Sequence, residues 1–165
     1  METVPAKAEP DDGLWCDLHQ ARPRGVLPEA ARRRVAAFVR AVPEWGGVVL
    51  LVGEVSHWVQ ISAGEIVSFQ SFLTGRLAAA LGAEGLPDAT ALADVMSQPE
   101  RLAGLLRSAE VSGESGVALG ALIGAELAAT RAFWLGADIR LIGEDTLSTA
   151  YETALQAQAA WVTRA

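Results

Sequence analysis

The sequence is poor in the residues that build disulfides and metal centres. It holds one cysteine, Cys16, and two histidines, His19 and His57, among 165 residues. A single cysteine excludes an internal disulfide, and a cysteine-rich zinc site needs several thiolates. Two histidines leave little for a metal cluster of another kind. We therefore expect no metal ion held by the protein's own side chains.

An excess of positive charge is also missing. Thirteen Lys and Arg residues stand against twenty Asp and Glu residues, which gives a net charge of −7 at pH 7. Proteins that bind nucleic acid need a basic face for the phosphate backbone, so this balance argues against such a partner. Four arginines cluster on a predicted helix, and we interpret them as a solvated helix face; they are Arg32, Arg33, Arg34 and Arg40.

Long uninterrupted hydrophobic runs are absent as well. The longest apolar helical stretch, residues 117–135, is broken by Gly120, Gly124, Glu126 and Arg131. A buried helix fits this stretch better than a membrane span, which needs about 20 apolar residues. Residues 1–13 contain no apolar core of a secretory signal. We expect a cytoplasmic protein without a membrane partner.

The sequence does have enough apolar residues, 51%, to build a packed core. Its length corresponds to one domain, or to one lobe of a larger protein. Residues 1–27 are polar at their start and show no clear period afterwards, so they predict a flexible tail and an irregular lead-in. Residues 28–165 predict a single α/β domain.

Periodicity and turn residues predict the order of elements within that domain. A helix over residues 28–41 precedes three strands, and a hairpin turn at Ala63-Gly64 joins the last two. Helices dominate afterwards. The predicted strands are 48–52, 58–62, 65–73 and 138–142. The predicted helices are one capped by Thr74, one capped by Asp88 or Thr90, one that a capping box at Ser97-Gln98-Pro99-Glu100 opens and that runs to about Arg107, a long helix at 117–135 that stops at Gly136, and a final helix, capped by Asp145 or Thr146, to about Val162. This order predicts helices against a mixed sheet.

Glycines stand at three places that could carry chemistry. Gly53 follows the first buried strand, Gly143 follows the fourth, and Gly120 and Gly124 lie in the long helix. A glycine turn that leads into a helix brings backbone N–H groups together and can hold an anion. Such turns are also common as plain connections, so the residues alone leave both interpretations open.

No nucleophile and base stand out near the first of these turns. Ser56 and His57 are adjacent, and neighbours on a strand point to opposite faces. We interpret His57 as a structural or surface residue and Glu54 as an exposed turn glutamate. A Mg²⁺ ion between Glu54 and a phosphate is the alternative. Trp58 and Trp134 are interpreted as packing residues, and no catalytic residue is identified.

Three stretches carry a resemblance to a known family. FVRAVPEWGGVVLLVGEVSHWVQISAGEIVSFQSFLTGRLAAAL, QPERLAGLLRSAEV and LGALIGAELAATRAFWLGADIRLIGEDTLSTAYETAL resemble the 2-dehydro-3-deoxygalactonokinases over about residues 35–157. The resemblance implies half of an actin/hexokinase-like ATPase fold, which is ribonuclease H-like, with a mixed sheet, a β-hairpin and packed helices. The family's enzymes use ATP and Mg²⁺ to phosphorylate the terminal hydroxyl of 2-dehydro-3-deoxygalactonate.

The resemblance also assigns positions. GEVSHW, residues 53–58, is similar to the family's second phosphate loop, which usually has the sequence GTHSKW. Here a carboxylate, Glu54, and a near-neutral imidazole, His57, stand in place of a hydroxyl and a cation, and both changes weaken anion binding. The implied phosphate-loop positions are Gly53, Glu54, Ser56 and His57; the implied adenosine-side positions are Gly124, Glu126 and Gly143.

The chain resembles the family's second lobe, without the D-W-G-T-S strand of the first lobe or the E-E-T-Q-type segment before the second. We therefore expect a kinase-like chain that is not catalytically competent alone. It could work with a separate first-lobe partner, or bind a small sugar acid or a nucleotide. ATP and Mg²⁺ are expected from the resemblance only.

Two other functions stay open. The first is a non-catalytic interaction module, for example a homodimer that buries the exposed face of the lobe. The second, weaker one is an unrelated enzyme that uses Glu54, Ser56 or Glu126.

Overall fold

The computed structural model describes residues 2–143 and 145–165, and within them it has α/β architecture. The strands are β1 (Glu2–Thr3), β2 (Ala6–Lys7), β3 (Leu18–Gln20), β4 (Gly25–Leu27), β5 (Gly47–Leu51), β6 (Ser56–Ser62), β7 (Glu65–Phe72), β8 (Asp138–Ile142) and β9 (Trp161–Arg164). The helices are α1 (Glu29–Ala41), α2 (Thr74–Leu81), α3 (Ala89–Ser97), α4 (Leu102–Ser112), α5 (Ser115–Ala129), α6 (Arg131–Trp134) and α7 (Thr146–Ala157), with a 3-10 turn at Pro99–Arg101 before α4.

The main sheet is mixed, as the sequence predicts. Its six strands lie in the order β2-β7-β6-β5-β8-β9. The strands β5, β8 and β9 run parallel, whereas β5, β6, β7 and β2 pair antiparallel. The hairpin between β6 and β7 is confirmed: Ala63 and Gly64 have φ values of 50° and 78°. Two positive φ angles in succession are what a tight two-residue hairpin turn requires.

The sheet separates two hydrophobic cores. Val48, Leu50 and Trp58 face α2 to α5 and α7, and Val49 and Val59 face α1 and the N-terminal strands. Side chains alternate between the faces of a strand, so a continuous aliphatic run such as β5 is buried on both sides. This explains why the GVVLL strand is recognisable from sequence.

Residues 2–27 differ from the predicted irregular lead-in. The strands β1, β3 and β4 form a small second sheet, and β2 pairs with β7 at the edge of the main sheet. Leu18 and Leu27 are fully buried. The prediction of irregular structure is wrong because strands of two or three residues are too short to show a period, and β2 pairs with a strand that is distant in sequence.

Arg32 corrects the interpretation of the basic cluster as a solvated face. Its side chain is fully buried, and its guanidinium donates to the Glu2 carboxylate at 2.6 Å. It also donates to the backbone oxygens of Lys7, Ala8 and Cys16. The remaining three arginines of the cluster are exposed. One buried cation therefore holds the N-terminal strands against α1.

Several predicted helix bounds also change. The long helix ends at Ala129 rather than at Leu135, and the short helix α6 follows. The last helix ends at Ala157, so Val162, predicted to be helical, lies in β9. Of the alternative caps, Asp88 rather than Thr90 caps α3, and Asp145 rather than Thr146 caps α7, each through its side chain. No helix in the described part of the chain is both long and apolar enough to span a bilayer.

Candidate functional site

Both candidate glycine turns lie at the same edge of the main sheet. The strands β5 and β8 are parallel neighbours, and Leu51 pairs with Ile142 at their carboxyl ends. The Val52 N–H donates to the Ile142 carbonyl at 3.1 Å, directly before the turns at Gly53 and Gly143. In open α/β sheets, ligands bind in the crevice outside the carboxyl ends of the strands. The structure thus brings these two predicted positions together.

The turn after Gly53 lies against the beginning of α2. A Cβ atom on Gly75 would overlap the carbonyl oxygen of Gly53, so only glycine permits this approach. The Arg76 N–H donates to the Glu54 carbonyl at 2.8 Å. The first turn of α2 is therefore bonded to the backbone of the candidate phosphate turn.

Gly143 lies against α7 in a similar way. A Cβ on Gly143 would overlap the Ser148 hydroxyl oxygen, which itself donates to the Asp145 carboxylate at 2.7 Å. The Ser148 N–H donates to the same carboxylate oxygen at 2.8 Å. The amino ends of α2 and α7 thus stand beside each other, above the ends of β5 and β8.

A crevice of about 250 Å³ lies between these two helices. Six of its lining residues are glycine or alanine; the lining is Gly75, Ala78, Ala79, Gly82, Ala83, Glu84, Gly85, Leu119, Thr146 and Leu147. Among the lining residues that the structure describes, Glu84 carries the charge. A crevice with small, mostly apolar side chains in its walls leaves room for a flat ring, and the helix amino ends suit a negative group.

Glu54, Ser56 and His57 of GEVSHW differ in their exposure and in their partners. Glu54 is exposed, and its carboxylate lies 3.7 Å from the Arg76 guanidinium. Ser56 is fully buried. His57 is buried too, and its Nδ1 shares a hydrogen bond of 2.7 Å with the Ser71 hydroxyl. Burial lowers the pKa of His57 to about 4, so the ring is neutral at pH 7 and offers no cation to a phosphate.

Glu126 is the centre of a buried polar cluster. Its Oε1 accepts hydrogen bonds from the Ser56 hydroxyl and from the Trp58 indole N–H, each at 2.7 Å. Its Oε2 accepts from the Thr74 hydroxyl and, at 2.7 Å, from the Tyr151 hydroxyl. Four donors around one carboxyl group suit its ionised form, which only accepts. Burial, together with the Glu126 charge, raises the pKa of Tyr151 well above 10, so the phenol remains a donor.

Two of the three implied adenosine-side positions, Glu126 and Gly124, lie outside the lining of the crevice. Glu126 is 2% exposed and lies below the crevice rather than in its lining. A Cβ on Gly124 would lie 2.5 Å from the Leu92 carbonyl oxygen, so this glycine serves the packing of α5 on α3. Only Gly143 of the three lies beside the crevice.

Three residues of the site are not identified by the sequence analysis. The sequence predicts a helix cap at Thr74, places Tyr151 within the final helix without a role, and assigns no role to Gly75. The available signal is Glu126 itself, a lone carboxylate within the apolar helix LGALIGAEL, because a buried charge requires partners. Within residues 2–143 and 145–165, no group of three or more His, Cys, Asp or Glu side chains could hold a metal ion.

Comparisons with known proteins agree with the predicted fold. A solved structure of a protein from Sinorhizobium meliloti, provisionally assigned as a 2-dehydro-3-deoxygalactonokinase, matches with a TM-score of 0.79 at 20% identity. The match covers 99% of this chain and 68% of that chain. It confirms the α/β fold predicted as half of an actin/hexokinase-like protein. A search of curated proteins found no match.

The family model for 2-keto-3-deoxy-galactonokinase matches residues 33–100 and 98–165, and the chain therefore belongs to this family.

Proposed function

We propose that this chain binds ATP with Mg²⁺ in the crevice between α2 and α7, as the nucleotide-holding part of a sugar-acid kinase. The observation that carries the proposal is the meeting of two parallel strand ends and two helix amino ends at one slot. Family membership supplies the substrate class, with 2-dehydro-3-deoxygalactonate as the acceptor. A cytoplasmic location accompanies the proposal, because ATP is a cytoplasmic nucleotide.

The crevice residues fit the nucleoside part of a nucleotide in size and polarity. Ligand pockets span roughly 300–1,000 Å³, so a crevice of about 250 Å³ accommodates a nucleoside rather than a whole nucleotide. The small residues Gly75, Ala78 and Ala79 leave room for a flat base, and the Glu84 carboxylate can accept from sugar hydroxyls. When bound, ATP supplies the phosphoryl group. A Mg²⁺ ion would arrive on its phosphates, as this ion commonly does.

We propose further that the chain alone does not transfer the phosphoryl group. Kinases clamp nucleotide, metal and acceptor with groups from several directions. Glu54 places a carboxylate at the turn where phosphate would lie, and the buried His57 cannot offset its charge. A partner chain that carries the complementary lobe would supply the missing contacts.

Calorimetric titration of the full chain with Mg-ATP tests nucleotide binding. Ala79 and Ala80 are both exposed on α2, but only Ala79 lines the crevice. Ala79→Trp should fill the crevice and abolish binding, whereas the matched control Ala80→Trp should bind like the wild type. No heat from the wild type at millimolar nucleotide would overturn the proposal, and so would equal binding by both variants.

A second candidate function is an interaction module that pairs with another copy of the chain. Leu73, directly before α2, is 50% exposed, and Leu77 and Leu81 within α2 are 47% and 43% exposed; the three follow one another at helical spacing. Their exposed side chains form a stripe that a second copy could cover. Light scattering during gel filtration tests this: the wild type should dimerise and Leu77→Lys should not. A monomer over a wide concentration range contradicts it.

A further inference from the structure

We infer that Glu126 is the positioning residue of the crevice: one carboxylate fixes the candidate phosphate turn relative to the amino-terminal parts of α2 and α7. The inference rests on the proposed function, because it takes the crevice as the ligand site. Glu126 itself is buried and touches no ligand there. It acts through the residues that donate to it.

The two carboxylate oxygens serve different elements. Oε1 accepts from Ser56 and Trp58, which both belong to β6 and directly follow the turn at residues 53–55. Oε2 accepts from Thr74, the first residue of α2, and from Tyr151 in the second turn of α7. One rigid group therefore bridges the sheet side and the helix side of the site.

The helix that carries Glu126 is itself held firmly. A Cβ on Gly120 would overlap the Asp88 carbonyl oxygen, and one on Gly124 would lie 2.5 Å from the Leu92 carbonyl oxygen. These close backbone approaches fasten α5 to α3. Leu119 belongs to the same helix as Glu126, two helical turns before it, and lines the crevice. Because Leu119 and Glu126 belong to one helix, a shift of α2 or α7 relative to Glu126 also changes their position relative to the crevice wall that Leu119 forms.

The contacts continue from the Glu126 cluster to the lining. Thr74 is followed by Gly75, which lines the crevice and touches the Gly53 carbonyl. The next residue, Arg76, donates its N–H to the Glu54 carbonyl. On the other wall, Tyr151 lies on the same helix as Thr146 and Leu147, which line the crevice. Loosening the Oε2 contacts should therefore separate α2 from the turn.

The donor set explains why a carboxylate is required. All four partners donate, and the Trp58 indole N–H cannot accept. An amide in place of the carboxylate must direct its oxygen to Trp58, so its NH₂ group faces Thr74 and Tyr151. Their hydroxyls can turn round to accept, but the contacts lose the charge that strengthens them. Glu126→Gln should weaken the helix side of the cluster and spare the sheet side.

Hydrogen exchange on the full chain tests this without any ligand. The Arg76 amide is the reporter, because it bridges α2 and the turn. In Glu126→Gln its exchange should accelerate at least tenfold beyond the change in global unfolding. The control is Val35→Ala, which opens a cavity in the core on the opposite side of the sheet. Urea is added to the more stable variant so that both have the same free energy of global unfolding. Equal exchange rates of the Arg76 amide in the two variants would then overturn the inference.

Nucleotide affinity supplies the second readout. Glu126→Gln should raise the Kd for Mg-ATP about tenfold, and Val35→Ala should leave it unchanged. If the wild type binds no nucleotide, the proposed function fails, and the exchange experiment still decides whether Glu126 positions the turn. If exchange accelerates but the Kd is unchanged, the link between Glu126 and the crevice is overturned.

A variant pair covers the case in which Glu126→Gln does not fold. Thr74→Val removes only the contact between α2 and Oε2, and Thr74→Ser restores the hydroxyl. Faster exchange of the Arg76 amide in the first and wild-type exchange in the second would support positioning by Glu126. Equal exchange in the two variants would contradict it.

Discussion

Ser56 and Glu126 are 70 residues apart in the sequence, and the hydroxyl of one donates to the carboxylate of the other at 2.7 Å in the core. The family resemblance implies a phosphate-loop position for Ser56 and an adenosine-side position for Glu126. The hydrogen bond joins the two positions below the crevice rather than inside it. Neither residue is among those that line the crevice.

Tyr151→Phe tests the energetic importance of the Glu126 cluster. The substitution keeps the ring and removes one of the four donors to a buried carboxylate, so we expect a loss of about 1–3 kcal/mol in the free energy of unfolding. Urea denaturation at pH 7 measures it. Ser68→Ala, which removes an exposed hydrogen bond to Gln60, should change stability by less than about 0.5 kcal/mol. Equal stability of Tyr151→Phe and the wild type would refute the assignment.

A pair of glycine substitutions tests whether Gly124 serves packing. Gly124→Ala should destabilise the protein by about 1–3 kcal/mol, because the added Cβ meets the Leu92 carbonyl and forces α5 away from α3. Gly104 lies in α4, and a Cβ added there would meet open space among the described residues, so Gly104→Ala should stabilise by about 0.5–1 kcal/mol. Thermal unfolding of both variants provides the comparison. A stabilising Gly124→Ala would show that the two helices are not in close contact.

The central strands are predictable from sequence because their signals are local. The run VVLL is aliphatic throughout, and Ala63-Gly64 lies between two strand-like segments. Asp88 and Asp145 precede their helices in the usual capping position. The end of the long helix is not predictable in this way, since Thr130 has ordinary helix propensity, and the break there lies in its backbone angles, φ −100° and ψ 14°.

The candidate site is predictable only in part. Gly53 and Gly143 each follow a buried strand, and the parallel pairing of β5 with β8 brings them together. The cluster around Glu126 draws its four donors from three elements, and no spacing in the sequence connects them. The prediction for the N-terminal strands fails for the same reason: Arg32 is buried by contacts with residues 16 to 30 positions away.

Arg32→Met tests the attachment of the N-terminal strands. The methionine fills part of the space but leaves the carbonyls of Lys7 and Ala8 and the Glu2 carboxylate without their donor. We expect a loss of about 1–3 kcal/mol, because the two carbonyl groups lose their donor, whereas the Glu2 carboxylate is 36% exposed and stays hydrated. Arg34→Met on the exposed face of α1 should cost less than about 0.5 kcal/mol. Limited proteolysis should release residues 2–27 faster from the first variant only; equal rates would contradict this.

His57 predicts a pH dependence of stability. Burial lowers its pKa from 6.5 to about 4, so the unfolded chain binds the proton more tightly than the folded protein. The stability from the neutral ring is fully present above pH 6.5 and is lost as the pH falls to about 4, by at most about 3 kcal/mol. Glu2 and Glu9, whose pKa values are lowered from 4.5 by hydrogen bonds from Arg32 and Arg40, begin to lose their contribution near pH 5, in the lower part of that window, and they do so equally in the wild type and in a His57 variant.

Urea unfolding at pH 7, 6, 5 and 4 measures the His57 contribution. His57→Gln keeps a polar partner for Ser71 but does not titrate, so its stability should vary less between pH 6.5 and 4. Val59→Ala on the same strand should lower stability at every pH by a similar amount, and its profile should run parallel to that of the wild type. A His57→Gln profile parallel to the wild type would refute the assignment.

Glu54→Thr tests whether the carboxylate of GEVSHW opposes anion binding. Glu54 and Arg76 have side chains that are 82% and 59% exposed, so their pair adds little to stability and the variant should fold like the wild type. Without Glu54, Arg76 is free to meet a phosphate, and the affinity for Mg-ATP should rise about fivefold at low salt and less at 0.5 M salt. Arg76→Gln in the Glu54→Thr background should remove the gain.

Adding His57→Lys instead would bury an ammonium group beside Ser71 and unfold the protein, so the added cation has to come from the exposed side of the turn. Equal Mg-ATP affinities of Glu54→Thr and the wild type would show that the turn is only a connection between β5 and β6.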